Sequence, residues 1–323
     1  MIKRLPICFC LIAFLLIAAA PPEASAAAPK KSAEKKAAAV PALPSAAVPA
    51  LPSAAGLIGK VRDANASLKS YSFSIHRLDL ADKFVLKRNE EGLKSFKAIL
   101  DKLSFLTRQS GEVSEGVKGY KEGISDVLFI KPYTIQYYME KSDFVPSFLQ
   151  RAKVIYRPDI NSEEIFLKEP YMGMLIRKDA ESESASVLIQ NWTYELMELD
   201  CAIANGGVAR VAGAGVYGGK PAYMLDVTLK KGKIPWAVGC GGANKDVPQN
   251  AYGQISREMQ MIADRIDEFG KDSGRTRYWI DAESNLIVRK EVTFGKTAAI
   301  KYEITNIKLN SVKPEDIQAV KKK

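Results

Sequence analysis

RTRYWIDAESNLIVRKEVTFGKTAAIKYEITNIKL, residues 275–309, decides the fold. Arg275–Ile280 alternates polar and apolar residues with the two-residue period of a strand. Asp281-Ala282-Glu283-Ser284-Asn285 is a turn, and Leu286–Phe294 returns. Gly295 then turns the chain into Ala298–Leu309. In this last segment the apolar positions are even at Ile300, Tyr302 and Ile304 and odd at Ile307 and Leu309. A one-residue change of parity predicts a β-bulge near Thr305-Asn306.

The same period runs upstream. Tyr71, Phe73 and Ile75 alternate with Ser72, Ser74 and His76. Val127–Ile130 is a continuous apolar run, followed by Tyr133, Ile135, Tyr137 and Met139 at every second position. Ala152, Val154 and Tyr156 make a strand, Pro158–Asn161 a turn, and Ile165 and Leu167 start the return. Tyr223, Leu225, Val227 and Leu229 alternate once more. Helical spacing appears at Leu57, Val61, Ala64 and Leu68; at Leu93, Phe96, Leu100 and Leu103; at Ile189, Trp192, Leu196 and Leu199; and at Ile255, Met259, Ile262, Ile266 and Phe269. Gly270 is a C-terminal stop for the last of these. The expected class is α+β, an antiparallel meander with helices packed on one face.

The N-terminal region reads differently. Lys3 and Arg4 precede an apolar stretch from Ile7 to Ala20, and Ala24-Ser25-Ala26 is a small-x-small cleavage site. That order predicts a secretory signal peptide over residues 1–26, cleaved near Ala26, and a periplasmic location. The stretch falls short of the roughly 20 residues that span a bilayer. Residues 27–55 form an Ala/Pro/Lys-rich tether in which VPALPSAA occurs at 40–47 and again at 48–55. Its prolines favour extended, poorly packed chain. Residues 56–318 form the folding unit, with 79–119 and 245–270 resembling insertions, and 319–323 a basic tail.

The net charge is +10, of which leader and tether contribute four and Lys321–Lys323 three. The remainder is mild enough for at most peripheral contact with anionic lipid. No basic cluster is interleaved with aromatics, so nucleic acid is excluded as a partner. Of four cysteines, Cys201 and Cys240 lie beyond the leader. Export makes a bridge between them plausible, worth roughly 3–4 kcal/mol for a loop of about 40 residues. Two buried free thiols are the alternative.

Chemistry-bearing motifs are scarce. Gly213–Gly218 spells GxGxxG, but Gly219-Lys220-Pro221 and a strand follow, not the helix a dinucleotide site needs, so a loop beside a hairpin is expected. His76 is the single histidine and sits on the polar parity of its strand. No catalytic group, metal-ligand run or cofactor motif is present in the sequence. Tyr133, Tyr137, Tyr156, Tyr278 and Tyr302 share strand faces with aliphatic residues. A face of that kind must be covered by helices or by a ligand.

The opening LIGKVRDANASLKSYSFSIH (57–76), the pair Tyr278–Asp281 and Leu286–Val288, and the closing Ile304-Thr305-Asn306-Ile307 resemble the LolA/LolB-like superfamily of periplasmic lipoprotein-sorting and lipid-binding proteins. The resemblance covers 57–75 and roughly 131–317. It implies a half-open antiparallel β-barrel whose helices lid a hydrophobic cavity for acyl chains, in a divergent relative. The arginine-containing N-terminal strand motif of the lipoprotein carrier has no counterpart. The resemblance implies a non-enzymatic function: binding acyl chains or the lipid of a lipoprotein. The candidate concave-face residues are Phe73, Ile75, Ile135, Tyr137, Met139, Val154, Tyr156, Ile165, Tyr278, Ile280, Val288 and Tyr302. The competing expectation is an envelope scaffold or sensor domain that binds a protein partner through its sheet.

Overall fold

A computed structural model describes residues 51–80, 119–143, 150–167, 175–180, 191–230 and 249–317. The leader, nearly all of the tether, the helix expected over 88–108, Cys240 and the lysine tail lie outside them.

Eleven strands form one sheet: β1 (Ser70–Leu80), β2 (Tyr120–Ile130), β3 (Thr134–Ser142), β4 (Lys153–Arg157), β5 (Ser162–Phe166), β6 (Leu175–Lys178), β7 (Val208–Tyr217), β8 (Lys220–Lys230), β9 (Ser273–Asp281), β10 (Ile287–Phe294) and β11 (Thr297–Leu309). Their order is β6-β5-β4-β3-β2-β1-β11-β10-β9-β8-β7. Every pairing is antiparallel. The chain therefore starts at the sheet's middle, walks to one edge, crosses to the other, and walks back to pair β11 with β1. The sheet is open and curved, an α+β half-open barrel.

Among the described residues, three helices, α1 (Ala54–Ser67), α2 (Trp192–Ala204) and α3 (Gln249–Glu268), pack on the inner face. Ser53 caps α1, its Oγ accepting from Gly56 N at 3.1 Å. Asn191 caps α2, its side chain accepting from Tyr194 N at 2.9 Å. At the other end of α2, Gly207 N donates to Ala202 O at 2.8 Å. A Cβ on Gly207 would lie 2.5 Å from that oxygen, so only glycine fits this close return of the chain. Gly270, with φ +56°, ends α3 as its position suggests.

The bulge is where the parity change places it. Ser72 faces Lys308 and Ser74 faces Thr305, which leaves one extra residue on β11. Asn306 takes it up with φ +54°, and its side-chain amide donates to Ser74 Oγ at 3.1 Å. A second irregularity, between Ile287 and Arg289 of β10, has no such signal in the sequence. It puts Ile287 opposite Ile280 and leaves Val288 buried but outside the main core cluster.

One sequence-based expectation needs correction. Gly213–Gly218 is not a loop beside a hairpin: Gly213 and Gly215 lie within β7, opposite Met224 and Ala222, and only Gly218-Gly219 turns. The glycines obscure a strand because they contribute no apolar side chain to the alternation. On α2 Trp192 and Leu199 are buried and Leu196 packs half-buried against the core, with Glu195 and Glu198 buried beside them.

The outer face carries an in-register ladder of alternating charge, Asp226–Arg277–Glu291–Lys301, on four neighbouring strands. Arg277 grips Asp226 through two bonds of 2.6 and 2.7 Å. The Arg289 guanidinium lies 4.5 Å from the Trp279 ring centre. His76 Nε2 lies 2.8 Å from Glu122 Oε1, and Lys141 also contacts Glu122. Those two partners, Lys141 foremost, hold the Glu122 carboxyl below its usual range. His76 is thus part of a cross-strand polar cluster on the outer face.

Candidate functional site

The inner face has two halves, and α2 spans both. The aromatic half is built by register. Tyr71 faces Phe129, Phe129 faces Ile135, and Ile135 faces Tyr156, on β1 to β4 in turn. Tyr71 and Phe129 stack with ring centres 4.7 Å apart. Trp192, the first residue of α2, lies against Tyr71 at 4.7 Å and Phe73 at 4.9 Å. Its indole N–H donates to Ile287 O at 2.7 Å. Tyr133 meets Phe129 and Tyr156 edge-on. Burial, and then the neighbouring Tyr133, push the Tyr71 hydroxyl well above its usual pKa.

The other half is charged. Arg77 on β1 faces Tyr302 on β11, Tyr302 faces Lys290 on β10, and Lys290 faces Tyr278 on β9. Arg77 binds Asp79, two residues on along the same face, at 2.7 and 2.8 Å. One turn beyond Trp192, α2 presents Glu195, and three residues later Glu198. The Lys290 ammonium lies 2.7 Å from Glu195 Oε2 and 2.9 Å from Glu198 Oε2. Glu195 and Asp79 are fully buried, Lys290 and Glu198 nearly so. Glu195 Oε1 has no hydrogen-bond partner, nor has the Tyr302 hydroxyl.

The electrostatics follow from burial and from the count of charges. Burial, aided by the like charge of Glu198 and opposed by Lys290, pushes the Glu195 carboxyl up to about 7. Burial alone would lower the Lys290 ammonium, but the two carboxylates overcome it and raise it. Tyr278 and Tyr302 are raised well above the usual phenol, by burial first and then by the nearby carboxylates. A void of about 10 Å³, bounded by Arg77, Tyr194, Glu198, Ile262, Lys290, Val292 and Ile300, has room for about one water.

The expected concave-face residues are distributed over this surface. Phe73, Ile75, Ile135, Val154, Tyr156, Ile165, Tyr278, Ile280 and Tyr302 belong to the core cluster between sheet and helices. Tyr137 is half-buried against it, and its hydroxyl is hydrogen-bonded to Ser125. Met139 is half-buried within β3, and Val288 sits at the β10 irregularity. Sequence reasoning missed Arg77, Asp79, Glu195, Glu198 and Lys290. One signal was available: Val288, Lys290 and Val292 share a parity, so the lysine occupies an apolar series.

Cys201 of α2 is fully buried and disulfide-bonded. Among the described residues, no group of three or more His, Cys, Asp or Glu side chains is placed to hold a metal ion. No helix among them is long and apolar enough to cross a membrane. At one end of the sheet, an open groove of about 410 Å³ runs between α1 and the β9–β10 turn. Lys60, Asp63, Asn285 and Asn310 are among its lining residues.

No protein-family model and no curated protein matches the chain. Solved structures similar to it include the Mycobacterium tuberculosis lipoprotein LppX, at 12% identity and a TM-score of 0.37 over 79% of this chain and 96% of that one. LprF from Mycobacterium bovis is similar at 10% identity and a TM-score of 0.37, over 80% and 93% of the two chains. A LolA superfamily protein from Nitrosomonas europaea is similar at 7% identity and a TM-score of 0.31, over 83% and 99%.

Proposed function

We propose that this chain is a non-enzymatic binding protein of the cell envelope. It takes an acyl chain, free or carried by a lipoprotein, between its curved sheet and its helical cover. The observation that carries this reading is the two-part inner face. An aromatic floor from Tyr156 to Phe73 offers apolar area, and α2, which covers it, is anchored beyond it by an ionic cluster. Burying a chain on such a floor contributes about 25 cal/mol per Å² removed from water. Ion pairs in a protein interior hold their partners weakly compared with apolar packing of the same volume. The cover is therefore easiest to separate from the sheet at the end where α2 carries its glutamates. Periplasmic export by the leader and a Cys201–Cys240 bridge belong to the same reading.

Titrating delipidated protein with a fluorescent fatty acid, or a lipopeptide, tests it. Saturable binding that quenches or shifts Trp192 emission is expected, and its absence at micromolar concentrations would sink the reading. A second reading, an envelope scaffold that binds a protein partner, draws on the closed state of the face, whose core residues are under the helices. Native mass spectrometry separates the two: a retained lipid favours the first, a bare chain with a co-purifying envelope protein the second.

A further inference from the structure

Lys290, Glu195 and Glu198 do not balance among themselves. Lys290 is one cation held by two carboxylates, Glu195 and Glu198, on one face of one helix. Arg77 of β1 favours the ionised form of Glu195, but burial outweighs it. Arg77 of β1 is engaged with Asp79. Tyr302 of β11 and Tyr278 of β9 lie beside Lys290, with Nζ 5.3 Å from the Tyr302 ring centre. Asp200, further along α2, is paired at 2.6 Å with Arg62 of α1. From α3, Ile262 borders the small void and Arg265 is buried in the same helical layer. Glu195 is fully enclosed and one of its oxygens bonds to nothing. With both carboxylates ionised the trio has a net charge of −1; with one proton it is neutral.

We infer that this proton is the latch of the cover: α2 stays on the sheet while Glu195 holds the proton, and loosens when it leaves to solvent. The inference rests on the function proposed above, because the face that α2 uncovers is the one assigned to the acyl chain. Its direction follows from the chemistry of the trio. Losing the proton leaves two like charges without water around them, and lifting α2 restores their hydration. Acidity closes the face and neutral-to-alkaline conditions open it. The raised Glu195 carboxyl puts the change near pH 7.

Hydrogen exchange resolved to α2, corrected for the intrinsic rate, reads the latch in the full chain. Between about pH 6 and pH 8 the opening of α2 should increase, approaching about tenfold per pH unit above the midpoint for one proton. β8 and β9 should not follow. E195Q mimics the neutral form and should abolish the pH dependence. E198Q leaves one carboxylate for one ammonium and should move the midpoint to lower pH. Opening that is independent of pH in the wild type, or a midpoint unmoved by E198Q, overturns the latch. A fluorescent fatty acid added in parallel separates the two claims. Opening without binding leaves the latch standing and removes the lipid reading, whereas pH-independent binding does the reverse.

Discussion

Trp192 and Glu195 stand one turn apart on the same helix, are equally enclosed, and rest on the same sheet, yet they hold it in opposite ways. Trp192 contributes area, ring contacts and one bond to a backbone oxygen. Glu195 contributes a charge that has lost its water and recovers part of the loss from Lys290. The aromatic half gains from every atom buried. The charged half remains stable only while its charge count is met. One helix thus joins a firm attachment to a conditional one.

The largest expected effect breaks the conditional side. Lys290→Met leaves two carboxylates buried without a cation and should cost about 3–5 kcal/mol in a urea denaturation series. A loss below 1 kcal/mol would mean that the trio is not buried in solution. Replacing all three members, as Glu195→Leu, Glu198→Leu and Lys290→Met together, should instead be neutral or stabilising by about 1–4 kcal/mol. Such a protein should also lose its pH dependence.

The pH profile is the next effect. Glu195 is raised in the folded chain from 4.5 to about 7. A raised carboxyl contributes stability that is fully present below its unfolded value and is lost as pH rises through its folded value. The unfolding free energy should therefore fall between about pH 5 and pH 8, by roughly 3 kcal/mol. A flat profile in that window would contradict the assignment. On the firm side, Trp192→Phe keeps most of the area but leaves Ile287 O without its donor, at about 1–3 kcal/mol with no pH component. The smallest effect is at the surface. Arg62 and Asp200 are both substantially exposed, so Asp200→Ala should change stability by less than about 1 kcal/mol.

The two halves were unequally legible in the sequence. Tyr71, Phe73, Tyr156 and Tyr278 announce a buried face, because their alternation with polar residues has only one physical reading. The Asn306 bulge was equally open, since a shift of parity within one strand requires an extra residue. The trio was hidden by the same logic. A lysine in a strand and two glutamates in a helix are assigned to water unless their partners are known, and Lys290 is separated from Glu198 by 92 residues. Val288 was hidden for another reason: the β10 irregularity shifts the face without a glycine or a polar residue to mark it.

The topology has a consequence for the order in which the molecule can be made. Among the described strands β1 is the first, and one of its two neighbours, β11, is the last. Lys69 N reaches Asn310 Oδ1 across 241 positions. While a chain is emerging, from a ribosome or through a membrane, β1 can pair with β2 but its other side stays open. It closes only after the segment to Leu309 has arrived. Such distant pairings are slow to form and leave an unprotected strand edge meanwhile. Protease protection of β1 in a pulse-labelled, elongating chain should therefore appear late and in one step, when the central seam closes.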